Sequence, residues 1–152
     1  MSISLSDLAW LIPAGPFLAF VLITLGGHRS RRLSKALALA GMIVAVVLSQ
    51  VIFWSLVRVP ETQAGSVIHW FSQGVDSVGL GIFVDPTDAV MVAMVSFVCL
   101  MIFVYSLGYM RDDPKVSRFF AYVSLFAGAM LGAMVCDNLL AFFVFWEIMG
   151  AC

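Results

Sequence analysis

Residues 85–110 read DPTDAVMVAMVSFVCLMIFVYSLGYM. After Asp88 no charged side chain follows until Arg111. A hydrocarbon layer about 30 Å thick is crossed by about 20 helical residues, so the run is long enough to span it. Its start is well marked. Asp85 can cap, and Pro86 suits the first helical position, where an N–H would go unpaired. Asp88 sets a negative charge at the positive end of the helix dipole. The stretch predicts a membrane helix over about Thr87–Met110, and it sets the frame for the rest of the chain.

Outward from this helix, other apolar runs have similar length. One covers about Leu8–Leu25 and stops at Gly26-Gly27. A second covers about Ala36–Val57, and another covers about Phe119–Cys136. A fifth run begins near Asn138, with Asp137 or Asn138 as its cap, and is still apolar at Cys152. Of the 152 residues, 62% are hydrophobic and 11% charged, with a mean hydropathy of +1.07. A soluble domain of this size needs far more charge to cover its surface. The expected fold is therefore an all-α integral membrane protein. It has four transmembrane helices plus the start of a fifth.

The polar connection from Arg58 to Val84 is different. Val67, His69 and Phe71 alternate with Ile68 and Trp70. Val78, Leu80, Ile82 and Val84 alternate with Gly79, Gly81 and Phe83. Gln73, Gly74, Asp76 and Ser77 supply turn chemistry between the two runs. This predicts a β-hairpin outside the lipid. His69 has no second His or Cys near it and reads as a strand residue.

Charge fixes an orientation. Arg29, Arg31, Arg32 and Lys35 precede the second helix, and Arg111, Lys115 and Arg118 follow the third. Arg58 is the one remaining base. Positively charged loops stay in the cytoplasm, so the N-terminus and the hairpin are expected on the non-cytoplasmic side. The protein is then expected to be multi-pass, with the lipid bilayer as one partner. A net charge of −1 gives no basis for nucleic-acid binding.

Glu147 is the residue that membrane insertion does not explain. Counting from Asn138 it lies about 14 Å into its helix, near the middle of the lipid layer. A charged residue there costs about 2.5–3.5 kcal/mol on insertion scales. Such a residue normally faces a protein or water-filled interior. Low-dielectric surroundings make a carboxyl harder to ionise, and a nearby ammonium reverses the effect. A carboxyl paired in this way can take up and release a proton as its geometry changes. The other reading is a helix-packing acid that stays protonated and hydrogen-bonded.

Other features read as structural. Ser124, Gly128 and Gly132 lie on one face of the fourth helix and suit close helix approach. Met91, Met94, Met101, Met110, Met130 and Met134 suit lipid contact or packing. Tyr105, Tyr109 and Tyr122 suit an interfacial belt. Cys99, Cys136 and Cys152 lack paired or metal-ligand spacing. No phosphate loop or nucleophile elbow is present, so the chain is expected to bind no cofactor and to perform no redox step itself.

Several segments together carry a resemblance. They are Phe83-Val84-Asp85-Pro86, Tyr105-Ser106-Leu107-Gly108-Tyr109-Met110, Arg118-Phe119-Phe120-Ala121-Tyr122, Asp137-Asn138-Leu139 and Phe145-Trp146-Glu147-Ile148-Met149-Gly150-Ala151-Cys152. In this order and spacing the chain resembles the N-terminal portion of the L subunit (chain 5) family of proton-translocating NADH:quinone oxidoreductase. That enzyme is respiratory complex I, and the family is antiporter-like. The resemblance is dense from about Ile82 to Cys152 and rests on helix spacing, loop charge and the hairpin before that.

The resemblance implies a proton-translocating membrane-arm subunit partnered by other membrane-arm subunits. Quinone, NADH, FMN and iron–sulfur clusters are then expected in other subunits. The family's Trp-Glu-x-x-Gly segment matches Trp146 to Gly150, and its glutamate is the acid of a Glu–Lys pair. That role carries over to Glu147. Residues 1–86 are then peripheral helices 1 and 2 with the hairpin. Residues 87–152 are helices 3, 4 and a truncated helix 5, the start of the antiporter-like module. Residues 138–152 give only about 22 Å of helix, so the fifth span reads as unfinished. The family's partner lysine lies further along the longer chain. Alternatives are a subunit of a multisubunit Na+/H+ antiporter, of a membrane-bound hydrogenase or of a photosynthetic complex, a structural membrane subunit without transport, or a stand-alone channel.

Overall fold

A computed structural model describes the backbone at residues 5–26, 30–58, 64–73 and 76–152, and side chains at 8–26, 30–58 and 81–152. Gly27, Arg29, Gly74 and the side chain of His69 lie outside the described residues. The element order is α1 (Leu5–Leu25), α2 (Arg31–Arg58), β1 (Ala64–Gln73), β2 (Asp76–Val84), α3 (Pro86–Tyr109), α4 (Val116–Val135) and α5 (Leu139–Ala151). Among the described residues, α1 to α4 are long and apolar enough to cross a membrane.

The start of α3 follows its local chemistry. Asp85 Oδ1 accepts the Asp88 N–H at 2.8 Å, and Asp88 Oδ2 accepts the Asp85 N–H at 3.3 Å. This reciprocal capping box satisfies two end donors. Helix α2 begins earlier than its apolar run suggests, at Arg31, and so takes Arg31, Arg32 and Lys35 into its first turns. Long basic side chains can lay their methylenes along a helix and keep the charge at the membrane surface. Pro13 and Pro16 lie inside α1.

Helix α1 packs between α2 and α4. Helix α3 packs on α2 and α4, and α5 lies on α4. The strands β1 and β2 pair antiparallel, from Ala64 opposite Val84 to Gln73 opposite Asp76, with an irregularity between His69 and Phe71. The hairpin packs on α1, α3 and α4. Ile82 and Val84 are buried while Phe83 is exposed, as the strand period requires.

In lipid, apolar burial alone does not drive helices together; close packing and interhelical hydrogen bonds do. Both appear here. At the α1–α2 crossing a Cβ on Gly15 would meet the Gly41 carbonyl oxygen at 2.8 Å, and one on Gly41 would meet the Gly15 oxygen at 2.8 Å. The two backbones touch because neither residue has a side chain. Between α2 and α3, the buried Ser49 and Ser96 hydroxyls share a 2.6 Å hydrogen bond. A double-mutant cycle with Ser49→Ala and Ser96→Ala is expected to give a coupling of about 0.6 kcal/mol, and at most about 1.7 kcal/mol. Detergent-denaturation of the reconstituted chain reads it, and a coupling of zero would remove this bond from the account.

The small-residue face of α4 is used differently from the sequence reading. Ser124, Gly128 and Gly132 are all buried, but aromatic rings fill the space above the glycines. A Cβ on Gly128 would meet the Phe17 ring at 3.1–3.3 Å, and one on Gly132 would meet the Phe145 ring at 2.6–2.9 Å. Ser124 donates to the Phe120 carbonyl at 2.7 Å. Met91, Met94 and Met101 face outward on α3.

Candidate functional site

Helix α5 carries the candidate site, and its first residues are tied to the rest of the molecule. Asn138, rather than Asp137, caps it. The Asn138 Oδ1 accepts the Ala141 N–H at 2.8 Å. Asp137 has a different task. Its backbone N–H donates to the Gly81 carbonyl at 3.1 Å, its Oδ1 accepts from Asn138 Nδ2 at 2.8 Å, and its carboxylate lies where a side chain on Gly81 would sit. Ile82 and Cys136 form a single bridge beside it. Strand β2 thus holds the turn from which α5 departs.

One face of α5 is then fixed against the bundle. Ala141 is buried, and Phe145 lies over Gly132 and stacks on Phe17 of α1 with ring centroids 6.3 Å apart. An apolar cavity of about 70 Å³ borders Trp10, Ala141 and Phe145. Next to it the Trp10 indole N–H is buried without an acceptor among the described residues.

Glu147 follows Phe145 by two positions, about 200° around the helix at 3.6 residues per turn. It therefore points away from α4 and α1 and is exposed, beside the exposed Phe143 and Val144. Among the described residues no ion pair or side-chain hydrogen bond involves it. The carboxyl stands on the unpacked side of the helix, a full helix diameter from the side that holds α5 in place.

The remaining chemistry-bearing residues are dispersed. Cys99 is buried in α3, Cys136 is half-buried after α4 and Cys152 is exposed after α5. They are not gathered, and no group of three His, Cys, Asp or Glu side chains that could hold a metal forms among the described residues. Two features have no counterpart in the sequence reading: the Gly15–Gly41 crossing and the Gly81–Asp137 junction. For the first, the only local signal is a pair of small dipeptides, Ala14-Gly15 and Ala40-Gly41, on consecutive helices. The second joins residues far apart in the chain and has no local signal.

Comparison with known proteins agrees with this architecture. Residues 70–120 match the family model described as NADH-ubiquinone oxidoreductase (complex I), chain 5 N-terminus. Over 97% of its length the chain is 32% identical to NAD(P)H-quinone oxidoreductase chain 5 of Synechocystis, covering 23% of that protein. It is 36% identical over 98% of its length to the chloroplastic NAD(P)H-quinone oxidoreductase subunit 5 of Mesostigma viride, covering 24% of it. The same identity, over 98% of the chain, relates it to F(420)H(2) dehydrogenase subunit L of Methanosarcina mazei, of which it covers 22%. The chain thus spans about a quarter of the length of these relatives. Hairpin, capped third helix and α5 all fall within the aligned length, and the chain belongs to the complex I chain 5 family, matching its N-terminal portion.

Proposed function

We propose that this chain serves in the membrane arm of a proton-translocating quinone oxidoreductase, with Glu147 as a protonatable group on the ion route. The observation that carries the proposal is the placement of Glu147. It is a lone carboxyl about 14 Å along a membrane helix, on the face that packs against none of α1 to α4. A carboxyl on the packed side would serve α5–α4 contact. On the open side it is free to meet a cationic partner or a water path.

The chemistry asked of it is proton uptake and release. The carboxylate accepts a proton from one side of the layer and yields it to the other when a cationic side chain approaches or withdraws. The family resemblance implies a lysine as the partner in that exchange. The redox steps belong to other subunits, which hold FMN and iron–sulfur clusters and act on NADH and quinone. The relatives' names differ in electron donor, NAD(P)H in two and F(420)H(2) in the third, which suits a membrane subunit that does not touch the donor. Its partners are the other membrane-arm subunits. The membrane is the cell inner or plasma membrane, with the basic face cytoplasmic and the N-terminus opposite. Residues 87–152 begin the translocating module, and residues 1–86 lie peripheral to it.

Glu147→Gln keeps the shape and the hydrogen-bonding capacity and removes the titration. In the assembled complex it is expected to lower the protons moved per quinone reduced by at least about twofold, read as vesicle acidification against quinone reduction. Glu147→Asp, which keeps the acid and shortens its reach, is expected to retain part of the coupling. Full coupling in Glu147→Gln, with the complex intact, would make Glu147 a structural acid and defeat the proposal.

A further inference from the structure

A cleft of about 600 Å³ opens where the ends of α1, α2 and α4 meet. Arg31 stands on it from the first residue of α2, Lys115 from the N-cap of α4 and Arg118 from the first turn of α4. Its apolar wall includes Phe20 and Ile23 of α1, with Tyr122 alongside.

Three observations converge on an anion. First, among the described residues no acidic side chain lines the cleft. Asp112 and Asp113 are close in sequence, yet neither reaches it, and Asp113 Oδ1 accepts the Lys115 backbone N–H at 2.6 Å. Second, Arg31, Lys115 and Arg118 make no ion pair among the described residues. Third, two helix N-termini face the same region, and neither helix has an acid in its first turn. Lys115 caps α4 without a side-chain hydrogen bond. Cations at the positive ends of two helix dipoles are locally unfavourable, and Asp113, bonded to the Lys115 N–H, offsets this only at the α4 end. Such an arrangement is offset by a bound anion, which the free backbone N–H groups also favour.

The apolar wall decides what kind of anion. A small inorganic ion has no use for Phe20 and Ile23, whereas a phospholipid has a phosphate for the rim and acyl chains for the wall. Tyr122, half apolar and half polar, suits the level between them. Basic pockets between membrane helices bind acidic headgroups by this combination. We propose that the cleft between α1, α2 and α4 binds an anionic phospholipid, with its phosphate held by Arg31, Lys115 and Arg118 and phosphatidylglycerol as the probe. This site is independent of the role of Glu147.

The full chain reconstituted in phosphatidylcholine nanodiscs with a minor fraction of spin-labelled phosphatidylglycerol tests it. The wild type is expected to retain that lipid at least about tenfold over spin-labelled phosphatidylcholine. Arg31→Gln, Lys115→Gln and Arg118→Gln combined should reduce retention to the phosphatidylcholine level. Each single change is expected to cost about fivefold, which keeps the test open if the triple variant does not fold. Arg32→Gln with Arg111→Gln removes charge from the same surface but not from the cleft, and should retain the lipid. Inorganic phosphate should not displace it. Three outcomes overturn the proposal: equal loss in the Arg32/Arg111 variant, which means diffuse attraction; displacement by phosphate, which means a headgroup-only anion site; and no preference in the wild type, as when a polypeptide segment fills the cleft.

Discussion

Gly41→Ala is expected to destabilise the helix bundle by about 1–3 kcal/mol, a large effect for a single methyl group. The added Cβ would lie 2.8 Å from the Gly15 carbonyl oxygen and 2.9 Å from the Ala19 Cβ. The first obstacle is backbone, so no side-chain rotation relieves it, and α1 and α2 must separate. Separation is costly in lipid because van der Waals contact supplies much of the helix–helix attraction there. The crossing also has no alternative partner nearby, since Ala38, Met42 and Ala45 of α2 are already buried. Gly15→Ala should have a similar effect, because its Cβ meets the Gly41 oxygen at the same distance. The double variant should lose less than the sum of the two, since helices already parted admit the second methyl at lower cost. Gly108→Ala in α3 is the control: nothing lies within 4 Å of its Cβ. It should be neutral or slightly stabilising, as Ala replaces Gly in a helix. Denaturant titration of the reconstituted chain reads all four variants. An effect at Gly108 equal to that at Gly41 would show that helix propensity, not the crossing, governs these glycines.

How much of this was visible in the residues depends on the range of the interaction. The start of α3 was legible because Asp85, Pro86 and Asp88 act within one turn, and the structure begins the helix at Pro86 with the capping box closed. The hairpin was legible because alternation and turn residues are also local. The α5 cap was only half legible: Asp137 and Asn138 are chemically equivalent as caps, and the choice is made by Gly81, which engages Asp137 from a distant strand. The α2 boundary was misplaced by five residues because apolarity ends at Ala36 while the backbone stays helical to Arg31. The direction of the small-residue face on α4 was legible. Its use was not, because aromatic rings from α1 and α5 fill it instead of another backbone. At the site, the depth of Glu147 follows from counting residues. Its facing follows only from Phe145 packing on Gly132, a contact between two helices. The convergence of Arg31 with Lys115 and Arg118 is likewise tertiary, although the basic character of both loops was plain.

That contact carries the second large effect. Gly132→Leu is expected to destabilise α5 packing by about 1–3 kcal/mol or more and, on the proposed role of Glu147, to lower proton coupling without touching the acid. A Cβ on Gly132 would meet three atoms of the Phe145 ring at 2.6, 2.7 and 2.9 Å. The ring also stacks on Phe17, so it can yield only toward the adjoining cavity. That cavity, about 70 Å³, gives the ring space to shift slightly when one methyl group is added, so Gly132→Ala should be milder than Gly132→Leu. It cannot accept a whole leucine side chain with the ring still in place. Helix α5 must then move outward, and Glu147, two residues past Phe145 on the opposite face, moves with it. The capping by Asn138 and the Asp137–Gly81 bond hold only the start of α5, so displacement should grow along the helix toward Glu147. Hydrogen exchange should therefore rise more at Phe145 to Met149 than at Ala141. Removing the ring in the double variant Gly132→Leu/Phe145→Ala should recover much of both stability and coupling, because the leucine then occupies the space that the ring vacates. Failure of that rescue, with the single variant still impaired, would place the defect elsewhere in α4 and detach the position of Glu147 from the Gly132–Phe145 contact.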